Sequence, residues 1–484
     1  MSKAKDVQAD VVVLGGGNAG LAAAISAAQQ GVKVILLEKA TEMGRIHNFA
    51  GGSEYGAFNS RYGIEHGVPE YDPVDFLVEF EKRSLCRCNQ PLVRRIAYNI
   101  GPVFDWFLSA LPPHFHEHLK IFNPQGQQFT GATNGFKSFA GTIYFDKPAD
   151  DGGNFNESPH SLVQAMLWLS DYLVEQGLTL YYGTAGEQLE CDPDGRVRSV
   201  IARASDGSCR RFTAEKAVIL AAGDFSRNYE MVYDLLDELA EISHNGKKHI
   251  VFGAGRDGSG IRMGIWAGGH IEPGPRSGMY ACQVGRGGFM GGLRLNALGQ
   301  RFSNEAMAGS FIAATRGSRQ PDGFITAVYD SKWPEFAKRM SYDHGATDVY
   351  ASEASFAQFQ ARHDKVLDEM ERRHNGEVFE KKVFRTDIIM PPSQYPFYAA
   401  DTLEELAELC GYEGEDRERF LAAIERYNEL CRQGKDEDFG KDALYMMPVD
   451  TPPFFAEQAM KDAGGLMVSE AGLVVDEFQR VLDD

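Results

Sequence analysis

The stretch Ala9-Asp-Val-Val-Val-Leu14-Gly-Gly-Gly17-Asn-Ala-Gly20 decides the fold of this chain. Its first six residues, apolar apart from Asp10, have the character of a buried parallel strand, and glycines follow at once. An Ala-rich helical pattern then runs over residues 21–30 and ends at Gly31. A strand, a glycine turn and a helix in this order indicate the nucleotide-binding unit of an α/β fold.

The residues of this turn suit an approaching pyrophosphate. Gly15 permits the tight turn, Gly17 lets phosphates approach the backbone, and Gly20 lets the helix pack closely on the strand. The helix opens with Asn18 and Ala19, where backbone amides and the positive end of the helix dipole favour an anion. These five residues are therefore predicted to bind a dinucleotide, with a plain strand-helix unit as the alternative.

A second strand over residues 33–37 leads to Glu38, and Lys39 stands next to it. Glu38 follows Gly20 by 18 residues, close to the roughly 20 expected of the acid that accepts the ribose hydroxyls. Glu38 and Lys39 are both predicted cofactor contacts. The fingerprint does not separate FAD from NAD, because both present the same ADP half to the turn.

Length and composition narrow the class of protein. With 484 residues, of which 43% are hydrophobic and 11% aromatic, the chain is predicted to form two or three packed units. The net charge of -20 disfavours nucleic acid as a partner. No stretch approaches the roughly 20 apolar residues of a membrane span and the start has no signal-like segment, so a cytoplasmic location is expected. The seven cysteines are scattered, which favours reduced thiols.

Three further segments carry motifs in a fixed order. They are Lys216–Asn228, whose strand ends in Ala-Ala-Gly-Asp-Phe, Gly255–Gly258 with the sequence Gly-Arg-Asp-Gly, and Thr451–Ala456 with Gly464-Gly-Leu466 beyond it. Together with the glycine turn, these motifs make the chain resemble the superfamily of FAD-dependent fumarate reductases, succinate dehydrogenase flavoproteins and 3-ketosteroid dehydrogenases. The resemblance extends over essentially the whole chain.

The resemblance implies an α/β fold in which a Rossmann-like FAD-binding domain carries an inserted α+β capping domain. The FAD-binding domain would comprise residues 1–273 and a return segment, 461–484, and the cap would comprise residues 274–460. Members of the superfamily continue beyond this return segment into another strand and a glycine-rich helix, so the chain is expected to be truncated. Within the cap, the charged residues 353–382 are predicted to form an exposed helix.

The resemblance also implies FAD as the cofactor and assigns further contacts to it. These are Gly51, Gly52, Ala185, Ala222, Gly223, Asp257, Gly258, Gly464 and Gly465. Succinate dehydrogenases have a flavin-attaching histidine in the region of Arg45 and His47, but the attachment position itself falls on Arg45. We therefore expect noncovalent FAD.

The positions that grip a dicarboxylate in the fumarate-reducing members are changed in this chain. The proton-donating arginine corresponds to Gly309, the first gripping histidine corresponds to Tyr280, and residues 461–463 supply no second histidine. A simple dicarboxylate is therefore not the expected substrate, and a larger neutral small molecule suits the changed positions better.

Tyr280 becomes the first candidate for proton transfer or carbonyl polarisation, because ketosteroid dehydrogenases of the superfamily use tyrosine for this work. Packing against the flavin or the cap hinge is the alternative for its ring. Arg276 and Arg286 flank Tyr280 and could hold an anionic group bidentately, with a surface or phosphate-facing position as the alternative. Arg301 and Glu305, four residues apart, are predicted to form an ion pair inside the cap.

The expected function is reduction of an activated C=C bond, in an enone or a conjugated acid, by hydride transfer from flavin N5, with an external electron donor or acceptor as partner. A 3-ketosteroid-type dehydrogenase that introduces a C=C bond remains open, as does a flavin-binding electron-transfer or scaffold subunit without substrate chemistry. His114, His116 and His118 alternate, but neither a cysteine nor a further acid stands at ligand spacing, so no metal site is predicted.

Overall fold

The structure is a computed structural model that describes most of the chain. The described residues are 5–41, 54–55, 58–122, 139, 141–145, 162–236, 256–280, 292–305, 320–321, 324–337, 353–379, 396–460 and 466–483.

Strands and helices are interspersed along the whole described chain. The strands are β1 (Lys5–Leu14), β2 (Val34–Leu37), β3 (Glu54–Tyr55), β4 (Leu119–Phe122), β5 (Thr142–Phe145), β6 (Thr179–Tyr181), β7 (Thr184–Cys191), β8 (Val197–Ala204), β9 (Cys209–Leu220), β10 (Ser277–Tyr280), β11 (Leu293–Asn296), β12 (Phe324–Asp330), β13 (Phe397–Ala400), β14 (Phe454–Met460) and β15 (Leu466–Glu470). The helices are α1 (Asn18–Gln29), α2 (Arg61–Glu65), α3 (Pro73–Arg83), α4 (Gln90–Ser109), α5 (Pro113–His116), α6 (Leu162–Glu175), α7 (Tyr229–Leu235), α8 (Ser259–Trp266), α9 (Trp333–Ala337), α10 (Glu353–His374), α11 (Leu403–Leu409) and α12 (Gly414–Gln433).

A mixed sheet in the order β6-β2-β1-β9-β8-β7 forms the first unit. The strands β6, β2, β1 and β9 are parallel, and β7 and β8 continue the sheet in antiparallel fashion. The turn at Asp206-Gly207 joins β8 to β9. The predicted α/β class is confirmed by this sheet and the helices that cover it.

The central strand β1 is buried on both faces near its carboxyl end, which explains the continuous apolar run from Val11 to Leu14. Val13 packs with Leu21 of α1 and Leu169 of α6 on one face of the sheet. On the other face, Val12 packs in a cluster that includes Met263 of α8. The first sheet therefore lies between helices, and the carboxyl end of β1 is left for the turn into α1.

A second sheet, in the antiparallel order β11-β12-β14-β13, forms from residues 293–460. The helices α11 and α12 pack on it through a cluster that includes Leu406 and Phe420. Residues 353–382 were predicted to form an exposed helix, but α10 ends at His374 and buries Val366 and Met370. The predicted domain boundaries themselves remain predictions.

The strands β10 and β15 pair in antiparallel fashion, which joins residues 277–280 to the return segment at residues 466–470. The return strand β15 also contacts the turn that follows β9: the backbone amide of Ser469 lies 3.2 Å from Asp224 Oδ2, and the Phe225 amide donates to Ser469 Oγ over 3.2 Å. A third, small sheet has the order β3-β5-β4. Among the residues described, no helix is both long and apolar enough to cross a membrane.

Candidate cofactor site

A cavity of about 660 Å³ lies at the carboxyl end of β1, where ligands of doubly wound folds bind. Its volume is within the range of small-molecule and cofactor sites. Ten of the predicted cofactor-binding residues line it: Gly15, Gly17, Asn18, Ala19, Glu38, Lys39, Ala185, Ala222, Gly223 and Asp257. Residues that are far apart in the sequence are thus brought together around one cavity.

The close approach of β1, β9 and α1 depends on glycine at two positions. Gly15 has a φ of 102°, and a Cβ atom there would lie 2.3 Å from the carbonyl oxygen of Ala221. A Cβ atom on Gly20 would lie 1.8 Å from the carbonyl oxygen of Gly15. Any larger residue at either position would therefore push the helix or the strand out of place.

The start of α1 suits an anionic group. Gly17 is the N-cap residue, no side chain of the described residues caps the helix there, and its first turn holds no acidic residue. The amides of that turn and the helix dipole are therefore available to a phosphate. Asn18 Oδ1 is buried, and within the described part of the chain it has no hydrogen-bond partner. An acceptor in this state fits a ligand that carries hydroxyl groups.

Glu38 is fixed at the end of β2 by two backbone amides. Its Oε2 accepts from the Gly16 amide and its Oε1 from the Ala40 amide, each over 2.7 Å. A carboxylate has about four acceptor sites, so each oxygen can accept a further hydrogen bond. The arrangement fits the ribose hydroxyls of an ADP group.

Asp257 joins the start of α8 to the end of β2. Its Oδ2 lies 3.0 Å from Lys39 Nζ, and its Oδ1 accepts from the Ser259 amide over 2.9 Å. Burial favours the neutral carboxyl, but the bond from Ser259 and the charge of Lys39 outweigh it and keep the pKa of Asp257 below its ordinary value. The carboxylate therefore stays ionised at the cavity wall.

The remaining predicted cofactor contacts divide into two groups. Gly20 and Gly258 shape the backbone beside the cavity; Gly258 has a φ of 71° and caps α8. Gly51, Gly52, Gly464 and Gly465 lie outside the described residues. Their predicted contacts remain predictions, as does the noncovalent attachment that was inferred from Arg45 and His47, which also lie outside.

Tyr280 is the last residue of β10, and Arg276 directly precedes this strand. Tyr280 pairs with Leu466 of β15, and Met279 pairs with Val468, which lines the cavity. Arg276 Nε donates to the carbonyl oxygen of Glu272 over 2.7 Å, and this arginine is not among the described residues that line the cavity. Arg286 lies outside the described residues, as does Gly309 at the expected arginine position.

The predicted ion pair of the cap is confirmed, and it is larger than the sequence indicates. Arg301 makes two 3.0 Å bonds to the carboxylate of Glu305 and further bonds to Asp436. Burial opposes ionisation of Asp436, but the bonds from Arg301 and from backbone amides lower its pKa to about 2. Lys441 Nζ lies 3.3 Å from Glu305, so the buried charges balance within the cap.

The alternating histidines lie in and just after a short helical turn. His114 and His116 lie in the helical turn α5, and the His116 ring bonds to the carbonyl oxygen of Leu108 through Nε2 over 2.8 Å. In the described ranges no group of three or more metal-ligating residues comes together.

Some lining residues were not singled out from the sequence. They include Arg256, Arg262, Trp266 and Val468. Arg256 stands inside the motif Gly255–Gly258, so its position beside Asp257 was a usable signal. Arg262 and Trp266 follow Ser259 at helical spacing, and only the phase of α8 decides which of its residues reach the cavity.

Comparisons with known proteins agree with this geometry. The chain is 25% identical to the vinyl phenol reductase of Lactiplantibacillus plantarum over 98% of this chain and 88% of that protein. It is 24% identical to the fumarate reductase (cytochrome) of Shewanella frigidimarina over 90% of this chain and 63% of that protein. The 3-ketosteroid-Δ4-(5α)-dehydrogenase of Rhodococcus jostii RHA1, solved with 4-androstene-3,17-dione, superposes with a TM-score of 0.64 at 18% identity, covering 100% of this chain and 89% of that one.

The family profile described as FAD binding domain matches residues 10–484. It begins within β1 and extends over the first and second sheets, the glycine turn and the return strand β15. The predicted superfamily and the predicted FAD dependence are therefore confirmed: this chain belongs to the FAD binding domain family and is an FAD-dependent oxidoreductase.

Proposed function

We propose that this protein reduces an activated C=C bond in a small molecule, using noncovalently bound FAD and an external electron donor. The observation that carries the proposal is the cavity at the end of β1, whose wall runs from the glycine turn to Val468 on the return strand. The names of two relatives, a vinyl phenol reductase and a fumarate reductase, support the reaction class. Both named substrates contain a carbon–carbon double bond.

The residues of the cavity divide the work of holding FAD. The amides of Asn18 and Ala19 bind the pyrophosphate, and Glu38 accepts hydrogen bonds from the ribose. Gly51, Gly52, Gly464 and Gly465 are assigned further contacts with FAD on the strength of the family resemblance. When bound, FAD supplies a hydride to one carbon of the double bond.

The second carbon of the double bond needs a proton, which we assign to Tyr280. The pairing of Tyr280 with Leu466, two residues before the lining residue Val468, supports this assignment. Neighbouring strands are about 4.8 Å apart, so β10 lies one strand away from the cavity wall. A phenol hydroxyl at this position would also polarise a carbonyl group conjugated to the double bond.

The substrate class follows from the changed positions of the superfamily. The changes at Tyr280 and Gly309 disfavour a simple dicarboxylate, and an enone, a conjugated acid or a vinyl-substituted phenol fits the proposal. Arg276 and Arg286 are assigned to an anionic group of the substrate when one is present. The bond from Arg276 Nε to Glu272 leaves its terminal nitrogens for this task.

An anaerobic titration tests the reaction and its direction. The flavin of the purified protein is reduced chemically, and an enone, 4-vinylphenol or fumarate is then added. We expect the enone or the vinylphenol to restore the yellow colour of oxidised flavin, and fumarate to leave it bleached. Turnover only with a saturated ketone and an artificial acceptor would favour the alternative reaction, in which a 3-ketosteroid-type dehydrogenase introduces a C=C bond.

A variant at Tyr280 tests the assignment of this residue as the proton donor. In Tyr280→Phe the ring is kept and the hydroxyl is lost, so proton transfer should slow about 100-fold or more while FAD binding is retained. Tyr398→Phe, a substitution inside the cap core, serves as the matched control. Equal reoxidation rates in Tyr280→Phe and the wild type would remove Tyr280 from the chemistry.

A further inference from the structure

Trp266 is an exposed tryptophan on the wall of the cofactor cavity. It is the last residue of α8. It is 67% exposed, although tryptophan is highly buried on average in folded proteins. Trp266 also lines the cavity. A large apolar ring that faces a ligand cavity is arranged for contact with the ligand.

One face of α8 lines the cavity along the whole length of the helix. The lining residues of α8 are Ser259, Arg262, Met263 and Trp266, a spacing that puts them on one side of a helix. The helix advances roughly 10 Å from Ser259 to Trp266 at 1.5 Å per residue. Trp266 therefore stands at the end of the wall that is distant from Asp257.

The other end of this wall lies beside the ribose acceptor. Asp257 bonds to Lys39, which directly follows Glu38. The strand β7 packs beside α8, since a Cβ atom on Gly186 would lie 3.5 Å from Met263 Cε, and Thr184, Ala185, Gly186 and Glu187 line the same cavity. A nucleotide whose ribose contacts Glu38 thus extends its base along β7 and α8.

The indole of Trp266 is held by its neighbour one turn earlier. The guanidinium carbon of Arg262 lies 5.9 Å from the centre of the indole ring, within the distance of a cation–π contact. An indole and a guanidinium are both groups on which a nucleobase stacks. We propose that Trp266 stacks on the adenine ring of FAD, with Arg262 positioning the indole. The inference rests on the binding of FAD in this cavity and does not depend on the reaction proposed above.

The test measures binding of the ADP half to the full-length protein after its flavin has been removed. ADP is the main probe, because it contains the adenine and lacks the flavin, which would absorb tryptophan emission from any distance within the protein. Calorimetry gives the Kd for ADP and for FAD, and quenching of tryptophan emission reports contact with the indole. The variants are Trp266→Ala and Trp266→Phe. Trp168→Phe is the control, since Trp168 stacks on Tyr172 of α6.

We expect ADP to quench emission in the wild type and in Trp168→Phe, and to leave it unchanged in Trp266→Phe. Trp266→Ala should raise the Kd for ADP and for FAD alike by about tenfold or more, as loss of one base-stacking ring does. Trp266→Phe should stay within about threefold of the wild type, because it keeps an aromatic face. Three results would each overturn the inference. The first is wild-type affinity for ADP in Trp266→Ala, and the second is retained quenching in Trp266→Phe. The third is weaker binding of FAD by Trp266→Ala without weaker binding of ADP.

Discussion

Lys39 and Asp257 form an ion pair at the cavity wall, with 3.0 Å between Nζ and Oδ2. The pair connects the end of β2 to the start of α8, which are 218 residues apart in the sequence. The two side chains are 37% and 48% exposed, so their attraction contributes less than about 1 kcal/mol to folding. Its main consequence is that Lys39 balances the charge of Asp257 at the wall of the cofactor cavity, next to the proposed ribose acceptor Glu38.

Lys39→Met should therefore weaken FAD binding about threefold to tenfold while changing the free energy of unfolding by less than about 1 kcal/mol. The loss should shrink at high salt, because salt screens the repulsion between Asp257 and the phosphates. Titrations of FAD at low and high salt check this. Lys216→Met is the control, since Lys216 lies 3.9 Å from Asp10 and does not line the cavity. Equal affinities in both variants would contradict the prediction.

Gly20→Ala should disrupt the nucleotide-binding unit. The new Cβ atom would lie 1.8 Å from the Gly15 carbonyl oxygen, so α1 must move and the cost should reach about 3 kcal/mol. Gly31→Ala has the same chemical change at a position with no atom within 4 Å, and its φ of 75° should cost only about 1 kcal/mol. Urea unfolding and FAD titration compare the two. A Gly20→Ala protein as stable as Gly31→Ala would show that the close approach is unnecessary.

Glu457 should make the stability of the cap depend on pH. This carboxyl accepts from the Tyr329 hydroxyl over 3.2 Å and lies 3.6 Å from Arg362. Burial raises its pKa from 4.5 to about 7, against the opposing effects of Arg362 and Tyr329. Between these pH values the folded state binds the proton that the unfolded state has lost. Stability from this group is therefore fully present below about pH 4.5 and is lost as the pH rises through about 7.

Glu457→Gln removes this proton while keeping an acceptor for Tyr329. Relative to the wild type, the variant should gain up to about 3 kcal/mol of unfolding free energy across that pH window. Burial lowers the pKa of the neighbouring His363 to about 4, so its own contribution is lost as the pH falls; because both proteins share it, the comparison isolates Glu457. Urea unfolding at several pH values measures the difference. The exposed Glu418→Gln is the control, and parallel pH profiles for wild type and Glu457→Gln would refute the assignment.

The flavin should leave the protein on acid denaturation. The position that corresponds to the attaching histidine is Arg45, and a guanidinium does not form the bond that the histidine forms. After acid precipitation, the yellow colour is therefore expected in the supernatant. Colour that remains in the precipitate would reveal a covalent link and would direct attention to His47.

The part of the fold that the sequence predicts best is the part governed by local sterics. Gly15 has the positive φ of a tight turn, and Gly20 lies against the carbonyl oxygen of Gly15, so the strand, turn and helix could be read directly from the sequence. The burial of Val366 and Met370 in α10 depends on the cluster they share with Trp333 and with strands β13 and β14. A mostly charged helix gives little local sign of such distant partners.

The candidate site shows the same division. The pair of Arg301 and Glu305 follows from a spacing of four residues, but Asp436 joins it from 135 residues away and could not be found from the sequence alone. Trp266 was missed for a different reason. Its helical spacing from Ser259 and Arg262 was visible, but the side of α8 that faces the cavity is set by packing against β7.

We propose that this protein passes a hydride from FAD to an activated C=C bond. The most direct test of this proposal is the rate at which the reduced flavin of the full chain is reoxidised without oxygen by an enone or by 4-vinylphenol. We expect the colour of oxidised flavin to return in proportion to the added alkene, with the saturated compound as product. A flavin that stays reduced with every alkene offered, yet is reoxidised by an artificial acceptor, would contradict the account.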